Sequence, residues 1–141
     1  MNAPLYDTAI LRLAATIPHL GRLADPQGTA EKRSIVCGSR LTADVRLDAE
    51  GRIEALGLEV SACALGQASA NLMASHAIGR TLEELTEARD ALAAWLAGER
   101  EDPGAWPDLD QLARARPHTG RHAAIRLPFE AAAEAAAKAR G

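Results

Sequence analysis

Cys37 and Cys63 are the residues of this chain best suited to do chemistry, because a thiolate binds metal, accepts sulfur or exchanges with a disulfide. Cys63 stands where the sequence pattern changes. Before it, Leu56, Leu58, Val60 and Ala62 alternate in the period of a half-buried strand. After it, small residues from Ala64 with Leu72, Met73 and Ile78 fit a helical period, which Gly79 ends. That places Cys63 at a helix N-terminus, where free N–H groups and the macrodipole favour a thiolate. A second use, as a small buried hydrophobe, stays open on position alone.

The elements upstream bring the two cysteines together. Leu41, Ala43, Val45 and Leu47 alternate with Thr42, Asp44 and Arg46, which predicts a strand with one wet face. Asp48 to Gly51 supplies a tight turn, and Ile53 to Ala62 returns as its hairpin partner. Ser34 to Cys37 reads as a short strand running into Gly38 and Ser39. The hairpin then sets Cys37, at the entry of one strand, beside Cys63, at the exit of the other.

The rest of the chain is mostly helical. Asp7 or Thr8 caps a first helix with Ile10, Leu13, Ala14 and Ile17 on one face, which Pro18 ends. His19 to Glu31 has the Gly and Pro content of a surface connection. Thr81 to Glu84 is a capping box that opens a helix with Leu82, Leu85, Ala88 and Leu92 or Ala93 inward, running to about Leu96. Residues 99 to 107 have loop composition. Asp108 caps a short helix over Leu109 to Ala115, and Pro128 suits the first turn of an Ala-rich C-terminal helix. Trp95 and Trp106 are assigned to packing.

Composition narrows the function. The chain of 141 residues is expected to form one domain. Aromatics are 3% against 48% hydrophobic residues, so the core must be aliphatic. A net charge of -3 with no block of like charge argues against nucleic acid or an anionic membrane as a partner. No apolar run has the length of a membrane span, and the first residues lack the pattern of a signal peptide, so the expected location is cytoplasmic. Cysteines there are expected to be reduced. No phosphate loop, zincin motif or nucleophile elbow is present.

With both cysteine segments in view, the chain resembles the U-type iron-sulfur cluster assembly scaffolds: IscU, the N-terminal domain of NifU and, most of all, SufU. Leu5-Tyr6, Ile10-Leu11 and Gly21 are similar to the family's opening. Ile35-Val36-Cys37-Gly38 resembles the Cys-Gly-Asp ligand motif, and Cys63 to Met73 resembles the second, a cysteine followed by a helix of small residues. Gly79 to Glu84 resembles the next turn and helix, and residues 99–119 lie where SufU carries an insertion. The resemblance implies an α+β fold: a small antiparallel sheet of about three strands, helices packed on one face, and a C-terminal helix.

Two departures bear on the chemistry. The family's aspartate ligand position is Ser39, and the third cysteine of its Arg-x-x-Cys-x-x-Leu motif is Ala124, within Arg121 to Leu127. Zinc or a [2Fe-2S] cluster wants about four ligands. Cys37 and Cys63 supply two, and His122 and His118, close to the vacated position, are the expected substitutes. Ser39 is read as a turn residue able to hydrogen-bond a thiolate. Arg121 is expected to favour the thiolate forms of the cysteines.

The expected function is therefore a scaffold-like or sulfur-acceptor protein that holds zinc, iron or a transient [2Fe-2S] cluster through Cys37 and Cys63. Its implied partners are a cysteine desulfurase of the SufS or IscS type and iron-sulfur acceptor proteins. Whether it is an enzyme is left open, with the residues favouring the answer that it is not. The alternative is a degenerate homologue that has lost metal and acts by protein contact. A third use, Cys37 and Cys63 as a redox disulfide pair, fits their proximity but has no activating motif.

Overall fold

The computed structural model describes residues 6–141; Leu5 of the Leu5-Tyr6 pair lies outside them. In chain order it has α1 (Thr8–Ala15), β1 (Gly28–Arg33), β2 (Arg40–Leu47), β3 (Ile53–Ser61), α2 (Ala64–Ala77), α3 (Leu82–Leu96), 3-10 turns at Leu109–Ala115 and Thr119–Arg121, and α4 (His122–Arg140). The sheet is antiparallel in the order β1-β2-β3. This is the expected α+β architecture.

Local signals account for most of these boundaries. Asp7 caps α1 by accepting from the Ile10 N–H at 2.9 Å. At α3, the Thr81 hydroxyl accepts from the Glu84 N–H and the Glu84 carboxylate accepts from the Thr81 N–H. Together these bonds satisfy donors that a helix start leaves orphaned. The β2–β3 hairpin forms as read, with Arg40 opposite Ser61 and Ala43 opposite Leu58.

α4 crosses the face of β1 and β2 and packs between α2 and α3, while α1 lies on α2. The core is aliphatic, with Leu41, Val45, Ile53, Leu58, Met73, Leu85, Leu92 and Ile125 buried among a dense set of alanines. Small side chains let backbones approach closely. At Gly28 a Cβ would fall 2.0 Å from the Ala135 carbonyl oxygen of α4, so only glycine lets β1 meet that helix. The tryptophans pack as expected: the Trp106 indole N–H donates to the Leu72 carbonyl at 2.9 Å, its ring stands edge-on to Phe129 at 5.4 Å, and Trp95 is buried. Among the described residues no helix is long and apolar enough to cross a membrane.

Five expectations need correction. The strand read at Ser34 to Cys37 is a turn, and the real first strand, Gly28–Arg33, begins in the stretch read as a connection and runs two residues past it. Its inward positions are Gly28 and Ala30, too small to register as an apolar stripe, whereas Ile35 and Val36 point into solvent at 99% and 78% exposure. β2 is not wet on its outer face: Asp44 is fully buried beneath residues 19–25, which hydrogen-bond to β3 through Gly21 and Leu58 and continue over Gly57. Pro18 does not end α1, which stops at Ala15 with Thr16 as its cap. Asp108 precedes a 3-10 turn, in left-handed backbone and without a side-chain cap bond. α4 begins at His122 rather than Pro128, which lies inside the helix; in that stretch the Ser69 hydroxyl of α2 donates to the Ile125 carbonyl at 2.6 Å.

Candidate functional site

The hairpin register decides where the thiols stand. Arg40 opens β2 directly opposite Ser61, the last residue of β3, so Cys37, three residues before Arg40, and Cys63, two after Ser61, emerge at one end of the sheet. Both line a single shallow cleft with Gly38, Ser39, Ser61 and Ala62. Both are free thiols and partly buried.

Cys37 is held by a closed turn. The Ser34 N–H donates to the Ser39 carbonyl and the Gly38 N–H to the Ser34 carbonyl, each at 2.8 Å. Gly38 has φ of 72°, a left-handed conformation that glycine adopts without strain. The turn puts the Cys37 sulfur 3.1 Å from Ser39 Oγ and 3.4 Å from Ser34 Oγ, and both serines are buried. As a thiolate the sulfur accepts from both hydroxyls. Those bonds, from Ser34 first and then Ser39, hold the Cys37 pKa below that of an ordinary thiol. Burial opposes them, and the Ser39 backbone N–H and the positive charge of Arg121 assist. Arg121 ends the last 3-10 turn, immediately before α4.

Cys63 is the N-cap residue of α2, in extended backbone with φ of -65° and ψ of 169°, and its side chain makes no cap hydrogen bond. Cys63 lines the cleft without being tied to the helix start, and its side chain packs partly on the core. Ala124, in the first turn of α4, is fully buried against the first turn of α2: a Cβ at Gly66 would lie 3.4 Å from the Ala124 Cβ. The position that resembles the family's third cysteine is thus beside the helix that Cys63 caps, and it carries a methyl group.

The histidines stand differently. His122 is buried, and its Nε2–H donates to the carbonyls of Ala115 at 3.2 Å and Arg116 at 2.8 Å. Two carbonyl acceptors at one nitrogen require a hydrogen on Nε2. His118 is exposed, just before the last 3-10 turn. Among the described residues, no three His, Cys, Asp or Glu side chains converge as a metal site. The structure brings Cys37, Cys63 and the charge of Arg121 together; it engages His122 with backbone.

Sequence reasoning missed Ser34 and undervalued Ser39. Their spacing, three before and two after Cys37, was visible, but reading the segment as a strand pointed Ser34 away from the thiol.

The family described as the NifU-like N-terminal domain matches residues 5–105. The chain is 26% identical over 134 residues to the iron-sulfur cluster assembly scaffold protein IscU of Thermotoga maritima, covering 95% of this chain and 94% of that one. The crystal structure of a nitrogen-fixing NifU-like protein (N-terminal) from Brucella abortus is 34% identical, with a TM-score of 0.90 over 96% of this chain and 94% of the other. The crystal structure of a protein described as a putative iron-sulfur cluster assembly scaffold for the SUF system, from Fervidobacterium islandicum, at 21% identity and a TM-score of 0.86 over 94% of this chain and 96% of the other, shares the fold.

Proposed function

The chain belongs to the NifU-like N-terminal domain family, and from that premise we propose that it is a scaffold-like or sulfur-acceptor protein of iron-sulfur cluster assembly, using Cys37 and Cys63. The observation that carries this reading is the shared cleft of the two free thiols, one of them held between buried serine hydroxyls. In the sulfur-accepting step, the Cys37 thiolate attacks the terminal sulfur of a persulfide on a cysteine desulfurase. A Cys37 persulfide forms, the donor's S–S bond breaks, and the donor cysteine leaves as a thiolate. Cys63, which lines the same cleft and makes no cap bond, shares the cargo in this reading.

As ligands for iron, zinc or a [2Fe-2S] cluster, the two thiolates fill half of the usual set of about four. His118, being exposed, is the less engaged substitute in this reading, whereas His122 would first have to give up two carbonyl partners. The segment 99–119 is taken as a SufU-type insertion in a single domain of 141 residues, and the cytoplasm as its location.

A second reading draws on Ala124. A fully buried methyl group at the third ligand position is a packed core residue, which suits a homologue that acts on the assembly machinery by contact alone. The two readings separate in a sulfur-transfer experiment with a cysteine desulfurase and labelled cysteine. The first predicts label on Cys37, lost in Cys37→Ser. Binding of the desulfurase with no label on either cysteine favours the second.

A further inference from the structure

Next to the thiol cleft lies a second concavity that the reading above does not use. It is lined by Arg33, Arg40, Ser34, Ser39, Ser61 and the side of Ile35, and it shares Gly38, Ser39 and Ser61 with the cleft of the two cysteines.

Its electrostatics are unusual for a hairpin end. Arg33 and Arg40 are direct cross-strand partners where β1 meets β2, and like charges so placed repel. Among the described residues only Glu31 lies against both, at 3.4 Å from Arg33 and 3.7 Å from Arg40, so one carboxylate serves two guanidiniums. Lys32, between Glu31 and Arg33, pairs with Glu134 of α4 instead. Arg121 adds its charge on the Cys37 side. The result is an excess of positive charge around a pocket that adjoins the cleft of Cys37 across Gly38, Ser39 and Ser61. Guanidinium forks match carboxylates, and the two arginines are half or more exposed and so have room to turn toward one.

We propose that this pocket binds the anionic end of a small thiol or disulfide of the cysteine or glutathione class, and holds its sulfur against Cys37. Arg33 and Arg40 take the carboxylate, and the exposed Ile35 side chain flanks the ligand's methylenes. With a disulfide ligand, the Cys37 thiolate attacks the nearer sulfur and the ligand's S–S bond breaks. A mixed disulfide on Cys37 forms, and the other half leaves as a thiolate that takes a proton from water. The inference rests on Cys37 being the reactive sulfur of the proposed function, but needs no metal.

The experiment uses the full chain carrying Cys63→Ser, so that Cys37 alone reacts. Rates of mixed-disulfide formation are followed by mass spectrometry with glutathione disulfide, neutral bis(2-hydroxyethyl) disulfide and cationic cystamine, each normalised to a small reference thiol. Glutathione disulfide should lead the neutral compound by about tenfold at low salt, with cystamine slowest, and the lead should shrink as salt is added. In Arg33→Gln/Arg40→Gln the lead should vanish while the neutral rate holds, which also shows that the turn is intact. An equal rate for the neutral disulfide, a lead that survives in the double variant, or no reaction at Cys37 overturns the proposal. Because the readout is free of metal and desulfurase, loss of the charge preference leaves the scaffold reading standing. A preference without any sulfur transfer or cluster overturns the scaffold reading and keeps the pocket.

Discussion

Removing the Asp44 carboxylate should be among the most destabilising single changes outside the apolar core, and it should leave the thiol cleft untouched. Asp44 is fully buried and accepts four bonds: from Arg22 at 2.7 and 3.1 Å, from the Leu23 N–H at 3.0 Å and from the Thr29 hydroxyl at 2.6 Å. In Asp44→Ala the Leu23 N–H loses its partner under a covering loop, which costs about 1–3 kcal/mol. The charge-assisted bond from Thr29 goes as well, again about 1.5–3 kcal/mol, while relief of the carboxylate's own desolvation offsets part of the sum. Arg22 is 47% exposed and returns to water at little cost. The net expectation is about 3 kcal/mol, and about 1 kcal/mol for Thr29→Val. Burial pushes the Asp44 carboxyl up, but the bonds from Arg22, Thr29 and Leu23 together outweigh it and hold the pKa below the usual carboxylate value. A carboxylate depressed in the folded state contributes stability that is fully present above its unfolded pKa, about 4, and is lost as pH falls through the folded value. The gap between wild type and Asp44→Ala should therefore be widest near neutrality and narrow in acid. Urea unfolding across pH measures both, with Cys37 alkylation as the control for the cleft. A neutral-pH loss below about 1 kcal/mol, or a gap that widens in acid, would refute the reasoning.

Two further changes bear on the thiols. Ser34→Ala and Ser39→Ala should each raise the pH midpoint of Cys37 alkylation by iodoacetamide, the double variant furthest, since both hydroxyls favour the thiolate; an unmoved midpoint would show that they do not reach the sulfur in solution. Ala124→Cys should place a third thiol beside the helix that Cys63 caps and tighten zinc binding at least tenfold, as a third thiolate ligand should, measured by competition with a chelator. An unchanged affinity would put residue 124 outside the reach of the cleft.

Much of the frame was legible because it rests on local rules. Asp7, the Thr81–Glu84 capping box and the alternation of β2 and β3 each announce one structure, and the hairpin alone was enough to set Cys37 beside Cys63. What escaped were places where tertiary contact overrides local signal. β1 has Gly28 and Ala30 facing the core, and at Gly28 α4 leaves no space for a side chain, so its pattern carries no hydrophobic stripe. Ile35 and Val36 look like core and are bare, whereas Asp44 looks like surface and is buried, because the covering loop of residues 19–25 comes from far away in sequence. Pro128 is a start signal that the helix runs through. At the site, the cysteines were readable by type and hairpin geometry. The serine cradle was not, since it depends on a turn closed by Gly38 in a left-handed conformation.

The central claim is that Cys37 and Cys63 together carry the cargo of an assembly scaffold. The most direct test is anaerobic addition of iron and sulfide to the untagged protein, followed by elemental analysis for iron, zinc and acid-labile sulfide and by visible absorption. Wild type should retain metal or cluster in proportion to chain, Cys37→Ser and Cys63→Ser should each lose it, and His118→Ala/His122→Ala reports whether imidazole completes the ligand set. A wild-type protein that retains neither metal nor sulfide, or variants that retain as much as wild type, would contradict the account.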